Sequence, residues 1–276
     1  MNLIADSGST KTVWYLDERT FYTTEGFNPV LLGEKYILEG IKQQLLPQIP
    51  DNIQKGLKFV HFYGAGCAKH ESNSKMQTIL EGIFPNSRVS VHSDMLAAAR
   101  AACGYSAGLV GILGTGCDAC VYDGKNIVKN AISLGYLLGD EGAGLDIGRA
   151  LVKNYFYGLF PADLAQIFAK KHPITEAELL VNLYQNPTPN KYLASFAEFA
   201  IEYQTHPFIL AIIKASFEQF IHHHLLPNRE FGGNIVHFIG SIAYLLQKPL
   251  KEQLTTHNLN LGKVLKTPFP DLLKYH

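Results

Sequence analysis

Leu3-Ile4-Ala5-Asp6-Ser7-Gly8-Ser9-Thr10-Lys11-Thr12, followed by Val13-Trp14-Tyr15-Leu16, is the stretch whose reading decides the rest. A short apolar run ends in an aspartate, turns through small residues, resumes, and closes at Asp17-Glu18-Arg19-Thr20. The pattern predicts strand, tight loop, strand and turn, with Phe21-Tyr22-Thr23-Thr24 as a third strand. Serine, glycine and threonine leave backbone N–H groups accessible, so such a loop can wrap an anion. The Asp6 carboxylate can hold a cation beside it, and a phosphate with its magnesium ion needs that pair of features. A β-hairpin edge with a polar turn has the same local sequence, so the remainder of the chain has to decide.

The 276 residues suffice for one large domain or two ordinary ones, and 47% hydrophobic with 17% charged residues suits a packed globular chain. With 24 basic and 24 acidic side chains the formal charge is zero, which gives no electrostatic reason to expect nucleic acid or an anionic membrane as partner. No basic region followed by a long apolar stretch opens the chain, so no signal peptide is expected. The most apolar later segment, 207–213, is cut by Lys214 and is too short to span a bilayer. Cys67, Cys103, Cys117 and Cys120 are too few and too irregularly spaced for a disulfide framework. These features together predict a soluble, cytoplasmic protein.

Beyond the opening hairpin and the turn Gly26-Phe27-Asn28-Pro29, apolar spacing predicts a helix through Ile37, Leu38, Ile41 and Leu45. A strand at 59–63 runs into Gly64-Ala65-Gly66, a helix covers roughly 74–83, and a strand at 89–94 stops at Ser93-Asp94 before a helix from Met95. Alternation of this kind implies an α/β domain with ligand groups at the carboxyl ends of its strands. The opening unit then recurs: Leu109-Val110-Gly111-Ile112-Leu113 is a strand, Gly114-Thr115-Gly116-Cys117-Asp118 a small-residue loop, and Ala119-Cys120-Val121-Tyr122 a strand. The turn Asp123-Gly124 and a third strand at 126–128 complete it. The repeat points to a duplicated fold whose halves face each other, with the boundary near Gly104-Tyr105-Ser106. From about 147 to 224 the pattern is helical; a strand at 234–239 and the turn Gly240-Ser241 follow. The C-terminal 272–276 reads as a short helix with no assignable partner.

Neither glycine loop fits the single-loop G-x-x-x-x-G-K-[ST] pattern or G-x-G-x-x-G, which disfavours a P-loop or a dinucleotide site. The order of Asp6 to Thr12, Ser93-Asp94, Gly114-Thr115-Gly116, Gly139-Asp140-Glu141-Gly142 and Gly240-Ser241 resembles the actin-like superfamily of sugar kinases, heat-shock ATPases and actin. Within it the chain looks like the N-acetylglucosamine kinase and BadF/BadG-type ATPase family, over nearly its whole length. The resemblance implies a duplicated actin-like (ribonuclease H-like) α/β fold. An N-terminal domain, 1–105, and a C-terminal domain with a helical insertion, 106–276, would enclose a nucleotide cleft.

It also implies ATP and Mg2+ as cofactors and a small-molecule sugar as substrate, phosphorylated in an amino sugar at the 6-hydroxyl. Gly8, Ser9, Thr10 and Lys11 would bind phosphate, with Thr10 near the transferred group and Asp6 near the metal. Asp94 would be the catalytic base, Gly114, Thr115 and Gly116 the second phosphate loop, and Gly240 and Ser241 the turn beside the adenosine. Asn28, Gly66, Asp118 and Asp140 would contact the sugar. Two departures stand out: Cys117-Asp118 replaces the serine and asparagine of many relatives, and Tyr136-Leu137 replaces tryptophan-glycine before Gly139-Asp140. Both fall in the sugar region.

Other readings compete. Asp94 could cap the following helix, and Asp140-Glu141 could be a solvated turn. Cys117-x-x-Cys120 has the spacing of a metal pair but no second pair accompanies it, and His222-His223-His224 on a helix cannot all face one ion. At the level of function, an ATPase that activates a partner enzyme through an iron–sulfur cluster and a non-catalytic sugar or nucleotide sensor are the alternatives to a kinase. The helical middle region offers surface for a homodimer, with no interface legible in the sequence.

Overall fold

The computed structural model describes residues 1–8 and 11–276. The chain divides into two compact units, one made of Met1–Gly104 with Pro268–His276 and the other of Tyr105–Thr267.

The first unit is built on a five-stranded sheet of order β3-β2-β1-β4-β5. Its strands are β1 (Asn2–Ser7), β2 (Lys11–Tyr15), β3 (Phe21–Glu25), β4 (Phe59–Gly64) and β5 (Arg88–Ser93). β1, β2 and β3 pair antiparallel as a meander, whereas β1, β4 and β5 run parallel with Ser7 opposite Gly64 and Gly64 opposite Ser93. The central strand is covered on both faces, which is why Leu3-Ile4-Ala5 is uniformly apolar rather than alternating. Helices α1 (Glu34–Gln44), α2 (His70–Ile83) and α3 (Asp94–Cys103) supply the cover. Trp14 is fully buried in this core, its Nε1–H donating to Thr24 Oγ1 at 3.0 Å and its ring 5.7 Å from that of Phe62.

The second unit repeats the arrangement with order β10-β9-β6-β7-β8. These are β6 (Gly108–Leu113), β7 (Cys117–Tyr122), β8 (Ile127–Asn130), β9 (Ile235–Ile239) and β10 (Asn260–Leu265). Again three strands form an antiparallel meander and three, β6, β9 and β10, run parallel. The two sheets are therefore the same topology written twice, and the α/β duplication expected from the repeated hairpin is the fold observed. β8 is an exposed edge carrying Lys129 and Asn130, which discourages pairing with another strand. Between β8 and β9 lies a helical layer. It includes α4 (Gly144–Phe156), α5 (Ala162–Lys171) and α6 (Pro207–Phe220), packed through Phe160, Phe168, Phe196, Phe199, Phe217 and Phe220. α7 (Gln247–Thr256) precedes β10.

Three local readings change. β7 begins at Cys117, so Cys117-Asp118 opens a strand rather than closing the loop. α3 begins at Asp94 with Ser93 as its cap, the Ser93 Oγ accepting from Leu96 N at 3.3 Å. The C-terminal segment has a partner, and it lies in the first unit: Pro268–His276 packs there, outside the 106–276 span expected for the second domain. Tyr15 stacks on Phe269 at 3.7 Å, His61 on His276 at 3.9 Å, and the Arg100 guanidinium lies 4.7 Å from the centre of the Tyr275 ring. Tyr63 Oη and His276 Nε2 share a hydrogen bond of 2.7 Å. Burial, with the Arg100 charge, holds His61 and His92 down at about 4, and burial beside His61 holds His276 at about 3, so all three rings are neutral in this packing.

Candidate active site

In the first unit the carboxyl ends of β1, β4 and β5 lie side by side and bring Asp6, Gly64-Ala65-Gly66 and Ser93-Asp94 together. Ser7 is the node of this region. Its Oγ lies 2.7 Å from Thr12 Oγ1 and accepts from Phe27 N at 3.2 Å, while its carbonyl accepts from Ala65 N at 2.8 Å. One serine thus ties the opening loop to the Phe27-Asn28 turn and to the turn after β4. The opening loop is closed by Gly8 N donating to Lys11 O at 3.0 Å. Ser9 and Thr10, expected at its tip, lie outside the described residues; Lys11 is exposed at the start of β2.

Asn28 is almost fully buried and its Oδ1 accepts from Val30 N at 3.0 Å. Gly66 has φ +82°, and a Cβ there would collide with the Asn28 side chain, so glycine is what lets these two predicted sugar contacts touch. Lys75 Nζ donates to Pro29 O at 3.0 Å and Leu32 O at 2.8 Å, fixing the loop that carries Asn28.

Burial, with Asp94's charge second, pushes the Asp6 carboxyl up to about 6. Burial also raises Asp94, against the Met95 N–H that donates to its Oδ1 at 2.9 Å. Ser93, not Asp94, takes the capping bond to Leu96 N. Two desolvated carboxylates of one charge make a place where a divalent cation relieves repulsion, so Asp6 fits the magnesium the sequence suggested. Cys67 nearby is inert: burial, then Asp94, pushes its thiol up to about 12.

In the second unit the corresponding strand ends carry the other predicted residues. Gly114-Thr115-Gly116 is closed by Gly114 N donating to Gly116 O at 3.0 Å. Its Gly114 and Thr115 carbonyls accept from Gly144 N at 2.9 Å and Leu145 N at 3.0 Å, at the start of α4. Among the described residues the N–H groups of Thr115 and Gly116 have no hydrogen-bond acceptor, which leaves them for an anion. Asp140, in the left-handed region at φ 62°, accepts from Cys117 N through Oδ1 at 2.8 Å and is raised chiefly by burial. Asp118 Oδ1 accepts from Ala119 N at 2.8 Å at the start of β7. Gly240, at φ 122°, abuts this loop so closely that a Cβ would strike the Leu113 carbonyl and sit 3.1 Å from Gly114 N. Its own N–H donates to Leu265 O at 2.9 Å, and Ser241 opens the short helix that follows.

Within each unit, then, most described members of the predicted set lie at or beside strand carboxyl ends, while Lys11 and Asp118 stand at the starts of β2 and β7. What the sequence missed surrounds Asp140. Glu141 accepts from His224 Nε2 and lies against His223 Nδ1, each at 3.1 Å; although burial raises it, the His224 and His223 bonds outweigh that and hold its carboxyl below the usual range. Asp146 pairs with Arg149 at 2.7 Å and accepts from Ser216 Oγ at 2.5 Å, and Ser216 in turn accepts from Gly142 N at 3.1 Å. Only the glycines flanking Asp140-Glu141 hinted at this network.

The chain matches no protein-family model and no curated protein sequence. Among solved structures it is 35% identical to a protein of Porphyromonas gingivalis provisionally named an N-acetylglucosamine kinase, with a TM-score of 0.93 over 100% of this chain and 98% of that one. A second provisionally named N-acetylglucosamine kinase, from Chromobacterium violaceum, is 18% identical with a TM-score of 0.69 over 100% and 98% of the two chains. A ROK family glucokinase from Streptomyces griseus, solved with glucose and AMPPNP, is 15% identical with a TM-score of 0.56 over 99% and 97%. The last two similarities speak to the fold alone.

Proposed function

The chain belongs to the N-acetylglucosamine kinase family of the actin-like sugar-kinase superfamily, and from that premise we propose that it is an ATP-dependent kinase of N-acetylglucosamine or a related amino sugar, acting at the 6-hydroxyl. The observation that carries the reading is the gathering of Asp6, Gly66 and Asp94 at three adjacent strand ends of one unit, with Asn28 packed against Gly66. The second unit repeats it with Gly114-Thr115-Gly116, Asp140 and Gly240.

In this reading Asp94 accepts the proton of the attacking hydroxyl. Phosphoryl transfer through a loose transition state demands little of a base, so one positioned carboxylate suffices. Asp6 holds Mg2+, which supplies charge neutralisation to the phosphates when bound. The free N–H groups of Thr115 and Gly116 receive phosphate oxygens, aligned without further reorganisation. The close packing of Gly240 on Gly114 keeps the Gly240-Ser241 turn, assigned to the adenosine, in register with that loop. Asn28, Gly66, Asp118 and Asp140 recognise the sugar; their carbonyl, amide and carboxylate groups offer the directional acceptors and donors that a polyhydroxyl ligand requires.

Coupled ADP release over a panel of amino sugars and hexoses with Mg-ATP tests the reading. The expected result is turnover with N-acetylglucosamine or a close amino sugar and little without acceptor; no ADP release with any member would refute it.

A further inference from the structure

The second unit also gathers a thiol, a carboxylate and an imidazole from three distant parts of the chain. Cys117 opens β7, Glu141 follows Asp140, and His224 lies in a π-helical turn, Ile221–Leu225, that continues α6. Cys117 Sγ is 3.6 Å from His224 Nε2, His224 Nε2 is 3.1 Å from Glu141 Oε2, and the three ligand atoms all lie within 4.8 Å of one another. Cys117 and His224 are buried, and Glu141 is part-exposed.

We propose that Cys117, Glu141 and His224 form a binding site for a divalent transition metal ion of the zinc class. A tetrahedral ion bonded at about 2.3 Å to sulfur and about 2.05 Å to nitrogen and oxygen holds sulfur and nitrogen about 3.6 Å apart and nitrogen and oxygen about 3.3 Å apart. The side chains already have close to that spacing. Hydrogen bonding accounts for the cluster less well. Two groups, Sγ and Oε2, converge on the single hydrogen that a neutral His224 can carry on Nε2. The Nδ1 is buried without a partner among the described residues, and the ring is packed against Phe220 at 5.0 Å and His223 at 6.5 Å.

Charge points the same way. The carboxylates of Asp140, Glu141, Asp118 and Asp146 all act electrostatically on the Cys117 side chain; a divalent cation would offset that excess of negative charge. His223 Nδ1 holds the other oxygen of Glu141 at 3.1 Å, the kind of outer partner that orients a ligating carboxylate. A thiolate ligand favours zinc-like ions over magnesium or calcium. On binding, the Cys117 thiol gives its proton to solvent and the imidazole coordinates in its neutral form. Because the Cys117 N–H holds Asp140, the ion would brace the Gly114-Thr115-Gly116 loop against the Gly139-Asp140-Glu141-Gly142 turn. The site does not depend on which acceptor, if any, the protein phosphorylates.

The test is cobalt(II) titration of the metal-stripped full chain, read by absorption. The expected result is thiolate-to-cobalt charge-transfer bands saturating at one equivalent and displaced by zinc. They should be lost in Cys117→Ser and weakened about tenfold or more in His224→Ala. Glu218, His222 and His257 form a second ligand group without sulfur, so His222→Ala should leave the thiolate bands unchanged. Absence of these bands in the wild-type chain, or their survival in Cys117→Ser, would overturn the proposal. Should the serine variant fail to fold, alkylation of the wild type mapped by mass spectrometry decides. Zinc should protect Cys117 and not Cys103; equal alkylation of Cys117 with and without zinc would overturn the site.

Discussion

Replacing Asp6 by asparagine should make the ligand-free protein more stable while abolishing the proposed phosphoryl transfer. Held at about 6 instead of its ordinary 3.8, the Asp6 carboxyl is costly to ionise in the folded state. At about 1.4 kcal/mol per pKa unit, the ionised group costs up to about 3 kcal/mol of folding stability. The sign follows from the direction: the folded state holds the proton more tightly, so the penalty is fully present above about pH 6 and disappears below the unfolded value near 3.8. Asparagine keeps the shape and removes the charge. Urea unfolding in the absence of metal should therefore show Asp6→Asn more stable than wild type at pH 8, by up to about 3 kcal/mol, with the gap closing toward pH 4. Magnesium should stabilise the wild type at pH 8, progressively less as the pH falls through 6, and should not stabilise the variant. An Asp6→Asn protein that is less stable than wild type at pH 8, or equally stabilised by magnesium, would refute this account of Asp6 as a cation-dependent carboxylate.

Three further outcomes are expected. Trp14→Ala removes a fully buried indole and its bond to Thr24, and should cost about 3–5 kcal/mol in chemical denaturation. Asp140→Asn keeps an acceptor for the Cys117 N–H but loses its charge; steady-state kinetics should show KM for the sugar raised by about tenfold or more, with KM for ATP little changed. The neutral His61 and His276 rings stack to hold the C-terminal segment and neutral His92 packs beside Tyr63, so stability should fall as the pH drops from 6.5 through about 4; His92→Gln should flatten that dependence in denaturation curves measured across this range.

The duplicated hairpins were legible because a strand that ends in a glycine loop and resumes leaves a local pattern, and two copies of it define the sheet order. The junction of β5 with the next helix at Ser93-Asp94 was legible, but that Ser93 rather than Asp94 takes the capping bond to Leu96 N was not. β10 was missed: Gly262 interrupts Asn260–Leu265 and the pairing with β9 slips between Leu261 and Val264, which erases the alternation that marks a strand. The C-terminal segment's partners, Tyr15, His61 and Tyr63, belong to strands at the other end of the chain, and no local spacing encodes them. By sequence spacing alone, neither the cysteine pair nor the histidine triplet reads as a metal site. Structure regroups them: Cys120 is buried within β7, His222 turns to Glu218, and His224 meets Cys117 across 107 residues of sequence.

Asp94 carries the central claim, and the direct measurement is ADP release with N-acetylglucosamine and Mg-ATP by wild type and Asp94→Asn, alongside calorimetric ATP binding. Loss of a positioned general base should lower kcat by about 10²–10⁴ while ATP affinity stays near the wild-type value. An Asp94→Asn enzyme that turns over at the wild-type rate would contradict the account.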